Sequence, residues 1–372
     1  MIRNELPKAM SKLPSERRVI APPTDGGAYA HHAAVAAFRG RLYATWSSTK
    51  RNEDDCGQRV MLSVSEDFEH WTDPVPLLDV SRDDPAGLVL TAGGFYAAGD
   101  TLHAYFGRYE YPAESLRENG TLRPKAEDDP GHLGTETGVV STIDGEHWSA
   151  PRMLGLPLVP NHGPQKTRSG RLILAGGVMF PYSDDPSGVG RFEVTGIYGD
   201  AFGDARPYDD SAAVELVTRA RRWDAKLICE GAFFQTDDGV IHMMLRSNGP
   251  VLWCADSFDN GASYTDPYPT GFSDDSSKFH FGRLPDGRFY AVSNPVTGGG
   301  RNPLVLSLSQ DGELFDTAYI LRDEPYEKQY PGMYKGGLYG YPHTLVHDGF
   351  LYTIYSKRKE AIEITRVALR DI

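Results

Sequence analysis

Apolar and polar residues alternate along short segments throughout this chain, and the segments come in pairs separated by a tight turn. The first pair reads HHAAVAAFRGRLYATWSS, with two alternating runs on either side of Arg39 and Gly40. Alternation with period two is typical of β-strands with one buried face, and a glycine in the turn predicts a hairpin. No long segment shows the period of an amphipathic helix. The pattern predicts an all-β protein.

Six copies of this hairpin recur along the chain. Their turn glycines are Gly40, Gly99, Gly170, Gly239, Gly287 and Gly349. A second hairpin follows most copies, and two hairpins make one four-stranded antiparallel blade of a propeller. The repeat predicts a single six-bladed β-propeller domain over residues 1–372, with five or seven blades as alternatives. Because the last unit lacks a fourth strand, a strand at about residues 17–22 is expected to close it.

Four of the outer hairpins carry a shared motif. It spans Ser65–Trp71, Thr142–Trp148, Ser257–Tyr264 and Ser309–Phe315. Each copy opens with Ser or Thr, has Asp two residues later and ends on an aromatic residue. The motif resembles the Asp-box of the BNR repeats of sialidases and related glycosidases, S/T-x-D-(x)-G-x-x-W. The resemblance implies a sialidase-like propeller, in which the boxes shape turns and are not catalytic.

Composition narrows the function classes. The formal net charge of −13 argues against nucleic acid and anionic membranes as partners. No apolar run is long enough to span a membrane, so we expect a soluble protein. It would be cytoplasmic as given, or secreted or periplasmic if a signal peptide has been removed. The three cysteines lack metal-binding spacing and allow at most one disulfide. The oligomeric state is left open.

A polar ring is predicted at the mouth of the propeller axis, where the innermost strand of each blade begins. Counting back about eight residues from each turn glycine finds polar residues in every unit. They are His31, His32, Thr91, His162, Gln165, Glu230, Lys278, His280, Tyr341 and His343. The ends of the second strands return to the same mouth and add Arg108, Arg246, Asn294 and Arg358. A cationic, histidine-rich ring in an acidic protein predicts a site for an oligosaccharide substrate.

The residue types in this ring suit β-elimination across a uronic acid. A base removes the acidic proton, cations stabilise the enolate-like intermediate, and an acid protonates the leaving oxygen. We expect His31 or His32 to be the base and Tyr341 the acid, with His162 and Glu230 as further catalytic candidates. The expected substrate-binding residues are Arg246, Lys278, His280, His343, Gln165, Asn294, Arg108 and Arg358.

The wider pattern also resembles a particular group of propeller enzymes. His31-His32 and the segments NHGPQ, GYPH and YSKRKE resemble lyases, and one rhamnosidase branch, that act on rhamnose–glucuronate and ulvan-type glycans. True sialidases instead use an arginine triad, an aspartic acid and a Tyr/Glu nucleophile pair, and here His-His replaces the first arginine motif. The resemblance implies a polysaccharide lyase acting on a glycan that contains uronic acid and rhamnose.

Other interpretations remain open at this point. One is an exo-acting glycoside hydrolase, rhamnosidase-like or sialidase-like, that uses Glu230 or a histidine. Another is a propeller that binds glycans without catalysis. No cofactor is required and no metal ligand is assigned. A divalent cation at the axial cluster of His162, Gln165, His280 and His343 is a further alternative.

Overall fold

The chain is built from β-strands. The computed structural model describes residues 1–117, 123, 132–197 and 228–372. Within these ranges the only helical segments are two short 3-10 turns, Ala113–Ser115 and Leu369–Asp371. No helix in this part of the chain has the length and apolar character needed to cross a membrane. Three short N-terminal strands come first: β1 (Arg3–Asn4), β2 (Ser11–Lys12) and β3 (Glu16–Ala21).

Three separate sheets follow along the chain. The first contains β4 (Tyr29–Phe38), β5 (Arg41–Thr49), β6 (Arg59–Ser65) and β7 (Val75–Leu78). The second contains β8 (Leu88–Ala98), β9 (Thr101–Glu110), β10 (Leu133–Thr142) and β11 (Arg152–Met153). The third has three strands, β12 (Gln165–Lys166), β13 (Leu172–Ile173) and β14 (Tyr182–Ser183). All three are antiparallel meanders.

The next eight strands form two antiparallel runs. The first run is β15 (Cys229–Gln235), β16 (Ile241–Arg246), β17 (Val251–Ser257) and β18 (Tyr268–Ser273). The second is β19 (His280–Arg283), β20 (Phe289–Ser293), β21 (Leu304–Ser309) and β22 (Leu314–Arg322). Strand β1 pairs in parallel with both β18 and β22, and β2 also pairs with β22. The two runs therefore belong to a single ten-stranded sheet.

The prediction of six separate four-stranded blades is wrong in its count. The described strands form four separate sheets and one ten-stranded sheet in a propeller-like, all-β arrangement. The difference arises because the N-terminal strand covers the outer edges of two neighbouring runs, which would otherwise be exposed. Counting repeated hairpins cannot reveal such a strand, since it lies outside the repeat.

An N-terminal strand forms the outer edge of the last sheet. It contains β23 (Tyr339–His347), β24 (Phe350–Lys357) and β25 (Ala361–Ala368), and β3 pairs antiparallel with β25. Ile20 of β3 is 4% exposed and packs with Trp46 of the first sheet and Ile354 of the last. This contact packs the N-terminal strand β3 and the last sheet against the first sheet. The apolar core here lies between neighbouring sheets.

The four Asp-boxes lie where the sequence predicts them. Each connects the third and fourth strands of its run, at the outer end of the sheet. In the second box, Asp144 Oδ1 accepts hydrogen bonds of 2.8 Å from the backbone N–H groups of Glu146 and His147. Gly145 has φ +80°, which favours glycine, whereas Phe68 adopts φ +71° at the equivalent place in the first box. The boxes are therefore structural turns.

The closure by β3 can be tested with two neighbouring residues on that strand. Ile20→Ala should lower the free energy of unfolding by about 2–5 kcal/mol, because it removes buried methyl groups from a packed core. Val19 is 48% exposed on the same strand, so Val19→Ala is the matched control. It should change the free energy of unfolding by about 0.5 kcal/mol or less. Chemical denaturation measures both. Equal effects of the two substitutions would contradict the packing of β3 into the core.

Candidate functional site

Three inner strands share a backbone irregularity near their start, a bulge in which a residue other than glycine has a positive φ. Strands β4, β15 and β23 each contain a bulge with one extra residue relative to the paired strand. Within these bulges His32, Glu230 and Tyr341 have φ values of +55°, +54° and +54°. A positive φ is costly for residues other than glycine, and such conformations cluster at functional sites. The three strained residues are among those that the sequence places at the axis.

One arginine links two of these strained residues. Arg246 Nη1, at the end of β16, donates hydrogen bonds of 2.7 Å to Glu230 Oε2 and 2.8 Å to the Tyr341 hydroxyl oxygen. Burial opposes ionisation of Glu230, but Arg246 and Lys278 outweigh it and lower the pKa of Glu230 to about 2. Burial and the nearby Glu230 charge raise the pKa of Tyr341 well above its usual value. The resting site therefore holds a carboxylate beside a neutral phenol.

Four cations surround the Tyr341 ring. Lys278, Arg301, Lys359 and Arg246 have their charged groups 4.7, 5.6, 5.9 and 6.0 Å from its centroid. Arg246 is paired with Glu230 and Lys359 with Glu53. Lys278 and Arg301 form no ion pair with any residue in the described part of the chain, and Arg301 Nη1 is buried without a hydrogen-bond partner. The site has positive charge that its own carboxylates do not match.

Two histidines pack against the same tyrosine. The ring centroids of His31 and His32 lie 4.0 and 5.3 Å from that of Tyr341. Burial, followed by Lys359 for His31 and Lys278 for His32, lowers the pKa of both imidazoles well below the usual value. His31 Nδ1 lies 2.6 Å from Ser356 Oγ, while His31 Nε2 and His32 Nδ1 are buried without partners. Both rings are neutral, and each keeps a nitrogen free for a ligand.

A second carboxyl group lies beside this cluster. Glu53, in the loop between β5 and β6, accepts a hydrogen bond from Lys359 and one of 3.4 Å from the Tyr29 hydroxyl. Burial raises the pKa of Glu53 and lowers that of Lys359. Both shifts favour the neutral forms. Glu53 can therefore hold a proton more readily than an exposed glutamate does.

The remaining predicted histidines form a separate cluster. The ring centroids of His162, His280 and His343 lie 4.6 to 6.0 Å apart. Burial lowers the pKa of all three, that of His280 to about 3. Lys278 is close to both groups: its Nζ donates a 2.5 Å hydrogen bond to the carbonyl of Asn161, the residue before His162, and lies 4.7 Å from the centroid of the Tyr341 ring. Burial lowers the pKa of Lys278 to about 8.

Four predicted binding residues engage other partners. Gln165 exchanges two hydrogen bonds with the backbone of Phe233 on the neighbouring sheet. Arg108 pairs with Glu110 at 2.6 Å. Asn294 donates to the carbonyl groups of Arg301 and Pro303, and Arg358 donates to that of Tyr326. A role of these four in substrate binding stays a prediction, and Asn294 also supports the loop that carries Arg301.

Among the described residues, the ligand atoms of His162, His280 and His343 do not converge within 4.8 Å, and a cation at this cluster stays an untested alternative. Two other groups in the described residues have possible ligand atoms within 4.8 Å of one another: His31–His32–Glu53 and His242–Cys254–Asp256. The first lies among the four cations around Tyr341, which disfavour a further positive charge. In the second, His242 Nδ1 and Asp256 Oδ1 are already hydrogen-bonded at 2.6 Å. All three cysteines are free thiols.

Three residues of the site escape strand counting. Arg301 and Glu53 lie in loops, and Lys359 follows the end of β24 by two residues. The signals in the sequence were indirect: a charged segment, RNEDDCGQ, and a glycine-rich one, GGGRNP. Strand counting instead finds Arg358, which precedes Lys359, and Asn294, which donates a hydrogen bond to the carbonyl of Arg301. It locates the ends of strands, but it cannot predict how a loop folds back.

Comparison with known proteins agrees with the fold and the motif. The BNR repeat-like domain matches residues 40–352. The chain belongs to this family. No curated protein sequence matches it significantly. The family assignment confirms the sialidase-like superfamily indicated by the Asp-boxes, whereas the closer resemblance to rhamnose–glucuronate and ulvan lyases stays a prediction.

Solved structures with similar folds include sialidases. One sialidase superposes with a TM-score of 0.65 and 17% identity over 99% of this chain. The chain spans about a third of that protein, 35% of its length. The intramolecular trans-sialidase of Ruminococcus gnavus gives 0.64 and 13%, with 98% and 99% of the two chains covered. A protein of unknown function from Dyadobacter fermentans gives 0.62 and 16%, covering 95% and 99%. At these identities the likeness establishes the fold.

The link between Arg246 and Glu230 predicts a non-additive pair of substitutions. Arg246→Met leaves a largely buried carboxylate without its partner, and Glu230→Gln leaves an unpaired guanidinium. Each alone should destabilise the protein, and the double variant should recover about 0.5–3 kcal/mol relative to the sum. Denaturant unfolding of all four proteins measures this coupling. Additive effects within about 0.5 kcal/mol would contradict a direct interaction.

Proposed function

We propose that this protein is a glycoside hydrolase that acts on a glycan containing a carboxylated sugar. The observation that supports it most is the hydrogen bonding of Glu230 and Tyr341 to one Arg246 nitrogen. Lys278 and Arg301 lie close to the same tyrosine and form no ion pair within the described ranges. A tyrosine that passes its proton to a neighbouring carboxylate can act as a nucleophile. Sialidases use a tyrosine nucleophile in place of the usual carboxylate.

The charge of the site favours an anionic sugar. Lys278 and Arg301 approach Tyr341 without an ion-pair partner in the described residues, and the neutral His31 and His32 add no charge. Guanidinium groups bind carboxylates through paired hydrogen bonds. Arg301 Nη1 is a buried guanidinium nitrogen with no hydrogen-bond partner in the described residues, so a sugar carboxylate bound there, with the charge of Arg246 nearby, would hold the anomeric carbon near the Tyr341 hydroxyl. The free nitrogens of the two histidines would then be available to sugar hydroxyl groups.

The first chemical step would form a glycosyl–tyrosine bond. Glu230 takes the proton of the Tyr341 hydroxyl as its oxygen bonds to the anomeric carbon. The bond from that carbon to the leaving oxygen breaks, and Glu53 donates its proton to this oxygen. Burial favours the protonated form of Glu53. The cations near Tyr341 stabilise the phenolate-like charge that develops on its oxygen.

The second step would release the sugar. Ionised Glu53 takes a proton from water, and the resulting hydroxide bonds to the anomeric carbon. The carbon–oxygen bond to Tyr341 breaks, and the phenolate recovers its proton from Glu230. Each residue returns to its starting state, and two displacements at one carbon retain the anomeric configuration.

A β-elimination is the second candidate. The neutral state of His31 and His32 favours it, because an unprotonated imidazole beside a protonated Tyr341 provides a base and an acid. Glu230 would then only orient other groups. The hydrolase accounts for more of the site, since it gives a role to Glu230, Arg246 and Glu53 together.

Enzyme assays on acidic glycans separate these alternatives. Sialosides and uronate-containing oligosaccharides should be screened for new reducing ends and for the absorbance of an unsaturated uronate. We expect reducing ends without that absorbance, and retention of configuration by NMR of the first product. Absorbance of an unsaturated product would instead favour elimination, and binding without turnover would favour a glycan-binding protein.

Substitution of the nucleophile gives a second test on any substrate found. Tyr341→Phe should lower kcat by a factor of about 10²–10⁴ or more, because it removes the nucleophilic oxygen. Glu230→Gln should lower kcat to a similar extent. Tyr319→Phe, at a tyrosine of β22 outside the site, is the matched control and should leave kcat unchanged. A Glu230→Gln enzyme with nearly normal kcat would contradict the hydrolase mechanism.

A further inference from the structure

One short segment supports both arginines of the site. In the connection from β18 to β19, Ser276 Oγ accepts hydrogen bonds of 3.3 Å from Nε and Nη2 of Arg246. The carbonyl oxygen of the same residue accepts one of 2.7 Å from Arg301 Nη2. Ser276 has φ +52°, a costly conformation for a serine. The residues on either side must therefore hold it in place. The spacing of the two guanidinium groups is set by this segment.

A buried carboxyl group anchors the segment at its N-terminal end. Asp274 is 1% exposed; its Oδ2 accepts a 3.0 Å hydrogen bond from the Ser277 N–H, and its Oδ1 is buried without a partner. Ionising a buried carboxyl group costs free energy when one of its oxygens has no hydrogen-bond donor. Burial raises the pKa of Asp274 to about 7. The mechanism above gives this residue no role.

The charged groups that face Asp274 belong to the site. Burial opposes the ionisation of Asp274 and outweighs the Ser277 hydrogen bond, Arg246 and Arg301, which favour it. The adjacent Asp275 acts in the same direction as burial. Asp275 is itself engaged, since its carboxylate accepts hydrogen bonds from the backbone N–H groups of Gly298 and Arg301. Asp274 is thus the carboxyl group of the segment whose charge changes near neutral pH.

We propose that Asp274 is a positioning residue whose protonation state tunes the affinity of the Arg246–Arg301 pair for anions. With a proton on Asp274, the two guanidinium groups keep their full positive field for an incoming anion. Loss of that proton places a negative charge near the two guanidinium groups and partly neutralises their positive potential. Because the two equilibria are linked, binding of an anion should also draw a proton onto Asp274. The inference deepens the proposed function, but the arginine pair can be probed without a sugar.

Stability measurements test whether Asp274 titrates as inferred. A carboxyl group with a raised pKa in the folded state holds a proton that the unfolded chain has released. The contribution of Asp274 to stability therefore falls as pH rises from about 4 to about 7 and changes no further above that range. The buried neutral histidines contribute a separate rise with pH, which substitution of Asp274 should not remove. Asp274→Asn should remove this fall, and the exposed Asp316→Asn should keep it. An identical pH dependence in all three proteins would overturn the inference.

Anion binding tests the effect on the arginines, with sulfate as the probe because its charge is constant from pH 5 to 9. We expect the wild-type affinity for sulfate to fall about five- to tenfold between pH 6 and 8. In Asp274→Asn the affinity should fall much less over that range, through the charge of Lys278 alone. Lys278 also loses charge near pH 8, so Lys278→Met should be compared and should retain the fall caused by Asp274.

Calorimetry in buffers of different ionisation enthalpy should detect proton uptake on sulfate binding near pH 7 in the wild type and in Lys278→Met, and clearly less in Asp274→Asn. A flat sulfate affinity in the wild type and in Lys278→Met, without proton uptake, would overturn the inference even if Asp274→Asn fails to fold. If sulfate responds as expected but no carboxylated sugar binds, the role of Asp274 stands and the proposed hydrolase does not.

Discussion

The hydrogen bonds from Arg246 to Glu230 and Tyr341 are the interaction on which the rest of the site depends. They hold a carboxylate and a phenol at one guanidinium nitrogen, although the two come from distant strands, β15 and β23. Without the arginine, Glu230 would be a poorly solvated charge and would gain a proton. With it, the carboxylate remains ionised, and in the proposed mechanism it accepts the proton that makes tyrosine a nucleophile. The same arginine would thus contribute to stability and to the proposed reactivity.

The backbone makes this meeting of residues possible at an energetic cost. His32, Glu230 and Tyr341 each occupy a left-handed conformation inside a bulge of an inner strand. A regular strand would turn successive side chains to opposite faces, towards the neighbouring sheets and away from the axis. The strain is supported by apolar packing between sheets and by the N-terminal strands that close the structure. Packing between the sheets therefore holds the three bulged residues in their strained conformations.

The sequence allowed much of the fold to be predicted, because hairpin turns and Asp-boxes are local signals. It did not reveal that β1 joins two runs into one sheet, since that pairing spans more than 260 residues. Strand starts identified Glu230, Tyr341 and the two histidines, because alternation fixes where a strand begins. Arg301 and Glu53 escaped, because a loop residue reaches the site through contacts that no short-range pattern encodes. Asp274 required the structure, since only burial distinguishes it from an ordinary turn aspartate.

Mass spectrometry of a trapped intermediate tests the central claim most directly. The substrate should carry fluorine on the carbon next to its anomeric carbon, together with a good leaving group. The fluorine slows formation and hydrolysis of the glycosyl–tyrosine bond, because both transition states are electron-poor. The good leaving group keeps formation fast enough for the intermediate to accumulate. Peptide mapping after incubation with such a carboxylated sugar should place the sugar on Tyr341, with less adduct in Glu230→Gln. An adduct on Glu230 or Glu53, or turnover of the matching substrate without any adduct on Tyr341, would contradict the account.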